Sequence, residues 1–258
     1  MEVEIVLFKE PKRGIFARGD KFFLTGFHGV GVVGYFTSLY IAEQKDSNFI
    51  GYIKLDKMPL MVKMRADRIG LPLEFYERGD FVILLNETLP SADQVHTLIE
   101  KISNWVVSSG FKEAVLIGGL LKKFVQDEEV PFRVAYTSAY LDKGRLKKEI
   151  AEGGLPRIDS NLQIYGPLAL MLAHFELMKF PAIAILPLST HRYELDVEAV
   201  HVALKFLNEH YNAKIDLSEI ESITESIGKM KKQIEEEMKK EEEEILRRAK
   251  REDFMFYM

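Results

Sequence analysis

The sequence predicts an α/β protein. A three-layer α/β/α domain with a mixed, mostly parallel sheet is expected over residues 1–215, followed by a long charged helix over 216–252 and a tail at 253–258. Short runs rich in Val, Ile, Leu and Phe alternate with helical stretches as far as residue 212. Runs with so few polar interruptions suit strands covered on both faces. Beyond Asp216 the composition turns strongly ionic, and the last three residues, Phe256-Tyr257-Met258, are apolar and aromatic.

Strands are predicted at 3–8, 21–27, 49–55, 60–64, 73–77, 81–86, 114–118, 132–137 and 182–186. Helices are predicted at 32–44, 92–109, 143–152, 167–179 and 197–211. Ser91 is placed to cap the second of these, on which Leu98, Ile99, Ile102 and Val106 share one face. No internal repeat is evident.

The long helix has its own start signal. Asp216 is placed to cap it, with Glu219 three residues on. Ile220, Ile223, Ile227, Met230 and Ile234 then recur in steps of three and four, with Met238 and Ile245 beyond. That seam suits helix pairing or the gripping of a client chain. Glu235-Lys239, Glu236-Lys240, Glu243-Arg247 and Glu244-Arg248 place an acid four residues before a base, each adding a few tenths of a kcal/mol to a solvated helix. At ~1.5 Å per residue, a helix over 216–252 would extend about 55 Å. A greasy end on an ionic rod costs solubility unless it docks. Phe256, Tyr257 and Met258 therefore read as a plug for a partner's pocket, with the terminal carboxylate as a charged anchor.

Composition narrows the classes. A hydrophobic content of 47% supplies a real core, and a net charge of -5 argues against a nucleic-acid binder, which needs a basic surface. The absence of cysteine removes disulfides, thiol catalysis and thiolate metal sites, and suits a reducing cytoplasm. The start, Met1-Glu2-Val3-Glu4-Ile5, does not resemble a signal peptide. The most apolar segment, 166–188, is broken by His174, Glu176 and Lys179 and by Pro167, Pro181 and Pro187, so it predicts a buried helix and strand and no membrane span. Six Asn and five Gln against 29% charged residues resemble the composition of thermophile proteins.

One segment offers chemistry on its face. Gly29-Val30-Gly31-Val32-Val33-Gly34 fits GxGxxG between a strand and a helix, and Asp56 ends the next strand 22 residues past Gly34. That is the pattern of a dinucleotide fingerprint. Here another strand precedes it, and no hydride-transfer site is visible downstream. The competing reading is a tight strand-to-helix turn whose small residues permit close packing. His28, His191 and His201 show no metal-ligand spacing, and His201 fits a half-buried structural role beside Val197, Val200 and Leu204. Ser189 and Ser91 lack a GxSxG context. The polar runs Lys9-Glu10-Pro11-Lys12-Arg13-Gly14 and Thr190-His191-Arg192-Tyr193-Glu194 read as loops.

Three stretches carry a family resemblance: Gly26-Phe27-His28-Gly29-Val30-Gly31-Val32-Val33-Gly34; Gly166-Pro167-Leu168 with Pro181-Ala182-Ile183-Ala184-Ile185-Leu186; and Asp196-Val197-Glu198-Ala199 leading to Ile215-Asp216. In order and spacing they resemble an archaeal member of the proteasome-assembly-chaperone family, of the activator type. The resemblance implies a three-layer fold related to phosphorylases and hydrolases but without their catalytic residues. It implies no enzyme activity, no cofactor and no ATP hydrolysis. It also implies self-association, with a tetramer favoured over a pentamer, and contact with the 20S proteasome α-ring. Phe256-Tyr257-Met258 is similar to the hydrophobic-tyrosine-any ending that docks between α-ring subunits and favours gate opening. Two other functions stay open: a holdase-like chaperone for non-native clients or assembly intermediates, and a nucleotide-binding α/β enzyme built on Gly29, Gly31 and Gly34.

Overall fold

The computed structural model describes residues 2–8, 21–65, 67–89, 92–126 and 129–226. Ile227, Met230, Ile234, Met238, Phe256, Tyr257 and Met258 lie outside the described residues, as do the run from Lys9 to Gly14 and the expected cap Ser91. The chain divides into two units after Asp216.

The strands are β1 (Val3–Leu7), β2 (Phe22–Gly26), β3 (Asn48–Leu55), β4 (Lys63–Arg65), β5 (Arg68–Gly70), β6 (Leu73–Arg78), β7 (Phe81–Asn86), β8 (Glu113–Ile117), β9 (Leu120–Leu121), β10 (Phe132–Tyr136) and β11 (Ala182–Ser189). The helices are α1 (Val33–Ala42), α2 (Ala92–Ser108), α3 (Ser138–Lys143), α4 (Lys147–Ala151), α5 (Pro167–Leu177) and α6 (Val197–Tyr211).

Nine strands form one mixed sheet in the order β1-β3-β6-β7-β2-β8-β11-β10, with β9 also beside β11. Parallel pairing holds the centre, joining β7 to β2, β2 to β8, and β8 to β11. Both flanks are antiparallel, through β6, β3 and β1 on one side and β10 on the other. Every residue of β2, β7 and β8 is buried, which explains why these segments read as unbroken apolar runs. Alternate side chains from these strands, such as Phe23, Val82, Leu84 and Leu116, form one core with Leu98, Ile102, Met171 and Phe175 of α2 and α5. The opposite pleats carry Leu24, Ile83, Val115 and Ile183, and α1 and α6 cover that face. Pro167 suits the first turn of α5. Asp196 caps α6, and Asn212 ends it in the left-handed region.

Two expected elements are corrected. The strand at 60–64 is replaced by a hairpin, β4–β5, that starts only at Lys63; Met61 N–H turns back to the Pro59 carbonyl at 2.8 Å, and β5 supplies partners only from Lys63 onward. The helix expected at 143–152 begins only at Lys147, as α4, and an unexpected helix, α3, ends at Lys143; Gly144, whose backbone is extended, separates the two. A Cβ at Gly144 would strike the Tyr140 ring, and Arg145 N–H donates to the Glu113 carboxylate at 2.7 Å.

The β4–β5 hairpin has inverted polarity. Arg65 and Arg68 turn inward onto Glu74, a carboxylate with no exposed surface, while Met64 and Ile69 face outward. Arg68 grips both Glu74 oxygens, at 2.6 and 3.1 Å, and Tyr76 donates to the same carboxylate at 2.7 Å. Burial pushes the Glu74 carboxyl up, but Arg68, the Leu71 N–H and Tyr76 outweigh it and leave it below the ordinary range.

Within the second unit, residues 218–226 are helical, and this stretch carries Ile220 and Ile223 of the expected seam. Thr224 donates back to the Ile220 carbonyl at 2.7 Å.

Candidate functional site

The carboxyl ends of β2, β8 and β11 meet around a cleft of about 790 Å³. In sheets with a parallel centre this is where ligands most often sit, because the strand-to-helix turns leave space there. The floor is the turn from β2 to α1. Gly31 takes a left-handed φ of +61°, and a Cβ on it would overlap the Ser189 hydroxyl. A Cβ on Gly34 would overlap the Ile117 carbonyl. In a dinucleotide fingerprint the second glycine lets the backbone approach the pyrophosphate and the third lets the helix pack on the strand; here the approach at Gly31 is taken by Ser189, and Gly34 keeps the packing role. The glycines let three strand ends approach one another, which is the packing role. Gly29 alone of the three faces open space.

Val32, the residue before α1, also takes a left-handed φ, +51°. A β-branched side chain in that region costs about 1–3 kcal/mol. Its neighbours hold it there: Gly31 N–H donates to the Arg192 carbonyl at 3.3 Å, and Asp196 N–H donates to the Gly31 carbonyl at 3.0 Å.

Asp196 ties the floor to the loop after β11. Its carboxylate accepts from Ala199 N–H at 3.1 Å, the Ser189 hydroxyl at 2.9 Å and Thr190 N–H at 3.0 Å. Burial raises its pKa, yet these donors prevail and hold it below the usual carboxylate range. Ser189 is thus a structural hydroxyl, engaged by Asp196 and by His191 N–H, with no imidazole nitrogen bonded to it. His191 Nδ1 sits 3.5 Å from Glu194 on the exposed loop. His201 is half-buried on α6, as its neighbours in sequence suggested. Among the described residues, no group of three or more His, Asp or Glu could hold a metal ion.

His28 stands at the edge of the cleft, stacked on Tyr35 with ring centres 4.1 Å apart. Burial lowers its pKa, and Glu87 opposes that shift only in part, so His28 is neutral near pH 7. The lining of the cleft is mainly apolar. Phe124, Tyr165 and Tyr193 stand at its mouth, 52%, 77% and 79% exposed.

Of the residues singled out in the sequence, His28 and Gly29 line the cleft, whereas Gly31 and Gly34 pack against Ser189 and Ile117; Phe124, Tyr165, Arg192 and Tyr193 were missed as parts of one site. They come from separate loops, and only the exposed aromatic side chains could have flagged them.

The PAC2 family matches residues 23–240 of the chain. Many solved structures resemble it in fold, three of which follow. Pyrococcus furiosus PbaA, an archaeal homolog of proteasome-assembly chaperone, is 19% identical, with 93% of this chain and 99% of that chain covered and a TM-score of 0.71. Pyrococcus furiosus PbaB, an archaeal proteasome activator, is 21% identical over 91% of this chain and 99% of that chain, with a TM-score of 0.68. A PAC2 family protein from Streptomyces avermitilis is 13% identical over 83% of this chain and 95% of that chain, with a TM-score of 0.60. No curated protein matches the chain.

Proposed function

The chain belongs to the PAC2 family, and on that premise we propose that it is an ATP-independent proteasome assembly-chaperone homolog and activator, which docks Phe256-Tyr257-Met258 on the 20S α-ring and favours gate opening. The observation that carries this reading is the hydrophobic-tyrosine-any ending on a chain whose fold is shared with an archaeal proteasome activator. The body supports it by what it spends its chemistry on. Its glycine-rich turn is used for packing, and its polar loop after β11 is used for capping.

The physics is that of several weak plugs. Phe256 supplies apolar area worth about 2 kcal/mol if fully desolvated. Tyr257 fills a mixed pocket while its hydroxyl keeps a hydrogen bond. The Met258 carboxylate pairs with a lysine or arginine on the ring. One such contact is weak. Several on one homo-oligomer raise avidity by roughly 10²–10⁴ when all can engage together. Docked ends then bias the gate by binding its open state more tightly than its closed state. Deleting Phe256-Tyr257-Met258 is expected to abolish stimulation of peptide hydrolysis by the 20S core and to leave the oligomer intact. Stimulation that survives the deletion would refute this function.

A further inference from the structure

Tail docking leaves the cleft at the carboxyl ends of β2, β8 and β11 without a task, and the cleft's chemistry is specific. Its volume of about 790 Å³ lies within the range that encloses a small organic ligand. Val30, Leu120, Ile158, Leu168 and Leu186 make an aliphatic trough. Phe124, Tyr165 and Tyr193 bring three large exposed rings to one mouth, an arrangement that soluble surfaces seldom leave uncovered. The described lining includes one arginine, Arg192, and no aspartate or glutamate. The Arg192 guanidinium lies 5.3 Å from the centre of the Tyr193 ring, at the same mouth.

We propose that this cleft binds a small anionic amphiphile, with an elongated apolar body in the aliphatic trough and a single carboxylate or phosphate headgroup at Arg192. Charge decides between ligand classes. A cationic amphiphile would face Arg192 with no acid in the described lining to pair with it. An uncharged one would leave the guanidinium and the Asn161 and Gln163 amides without a partner in the ligand. A nucleoside triphosphate carries several negative charges against one arginine, and the space at Gly31 that a phosphate would need is taken by Ser189. An apolar body with one anionic head matches both the trough and the lone guanidinium. This inference is independent of the tail.

The test uses the full chain and displacement of the fluorescent probe 8-anilinonaphthalene-1-sulfonate. Dodecanoate, dodecyl phosphate, dodecanol and dodecyltrimethylammonium are added below their micelle concentrations. Saturable one-site displacement is expected, with at least one of the two anions binding tenfold or more tighter than the alcohol and the cation; the better anion identifies the headgroup. Gly29→Leu fills the cleft without disturbing the fold, because its φ of -169° suits any residue and nothing lies within 4 Å of the new Cβ. It should weaken the anion tenfold or more at an unchanged melting temperature. Arg192→Gln should erase the preference for the anion over dodecanol and leave dodecanol binding as it was. Equal binding of dodecanol and both anions, binding indifferent to Gly29→Leu, or no saturable displacement would each overturn the proposal.

Discussion

Strand β8 begins and ends in opposite chemical settings. At its start, Glu113 is fully buried and its carboxylate accepts from Tyr211 at 2.7 Å, from Arg145 N–H at 2.7 Å and from Tyr140 at 3.3 Å. The two tyrosine hydroxyls also lie 2.9 Å apart, so with Tyr211 donating to Glu113 the Tyr140 proton is shared between Glu113 and Tyr211. At its end, Ile117 passes into Gly118 and Gly119 at the wall of an open, mainly apolar cleft. Where this fold buries polar groups, it closes them into a knot that pins α3 and α6 to the sheet. Where it gathers apolar side chains beyond the strand ends, it leaves them open. The first arrangement serves stability and the second serves binding.

The largest expected effect comes from cutting the knot. Glu113→Ala strands the Arg145 N–H and removes the acceptor of the Tyr211 hydroxyl, so stability should fall by about 3–4 kcal/mol in urea denaturation. At the other end, Gly34→Ala forces a methyl against the Ile117 carbonyl, which is backbone and cannot yield. A loss of about 2–3 kcal/mol is expected there, read the same way. If Gly34→Ala were neutral, the close approach of the strand ends would not be what requires glycine.

The two ends should also respond to pH with opposite sign. Burial raises the Glu113 pKa, and Tyr211, the Arg145 N–H and Tyr140 only partly offset it. A raised carboxyl contributes stability that is fully present below the unfolded pKa and is lost as pH rises through the folded value. Asp196, near the cleft floor, is depressed, so its contribution is present above the unfolded pKa and is lost as pH falls through the folded value. Relative to wild type, Glu113→Gln should gain stability as pH rises from the carboxylate range, whereas Asp196→Asn should lose it. Parallel profiles would contradict the contrast.

A smaller effect is expected at the turn itself. Val32→Gly should raise stability by roughly 0.5–1 kcal/mol, the relief of a left-handed β-branched residue less the entropy of an added glycine. Thermal unfolding would register it as a rise of a few degrees or less.

The central strands were legible because burial on both faces leaves an apolar run that needs no context, as in Phe81–Asn86. The hairpin was half legible. Its second strand, Arg68–Gly70, is short, and its charged residues point inward, reversing the rule by which a solvated ribbon is read. The α3–α4 break depended on Gly144 meeting the nearby Tyr140 ring and on Arg145 reaching Glu113, a contact between distant parts of the chain. The glycine turn was visible as a pattern, but its meaning lay in Ser189 and Ile117, which only the fold brings beside it. The cleft as a whole has no local signature, since its lining is drawn from separate segments between Phe27 and Tyr193. The tail reading, in contrast, rests on Phe256-Tyr257-Met258 and needs no tertiary information.

The most direct test of the proposed function is imaging of purified 20S particles mixed with the full chain or with a chain ending at Met255. The full chain should appear as added density on the outer α-rings, and the shortened chain should leave the particles bare. Equal decoration by both would contradict docking through the last three residues.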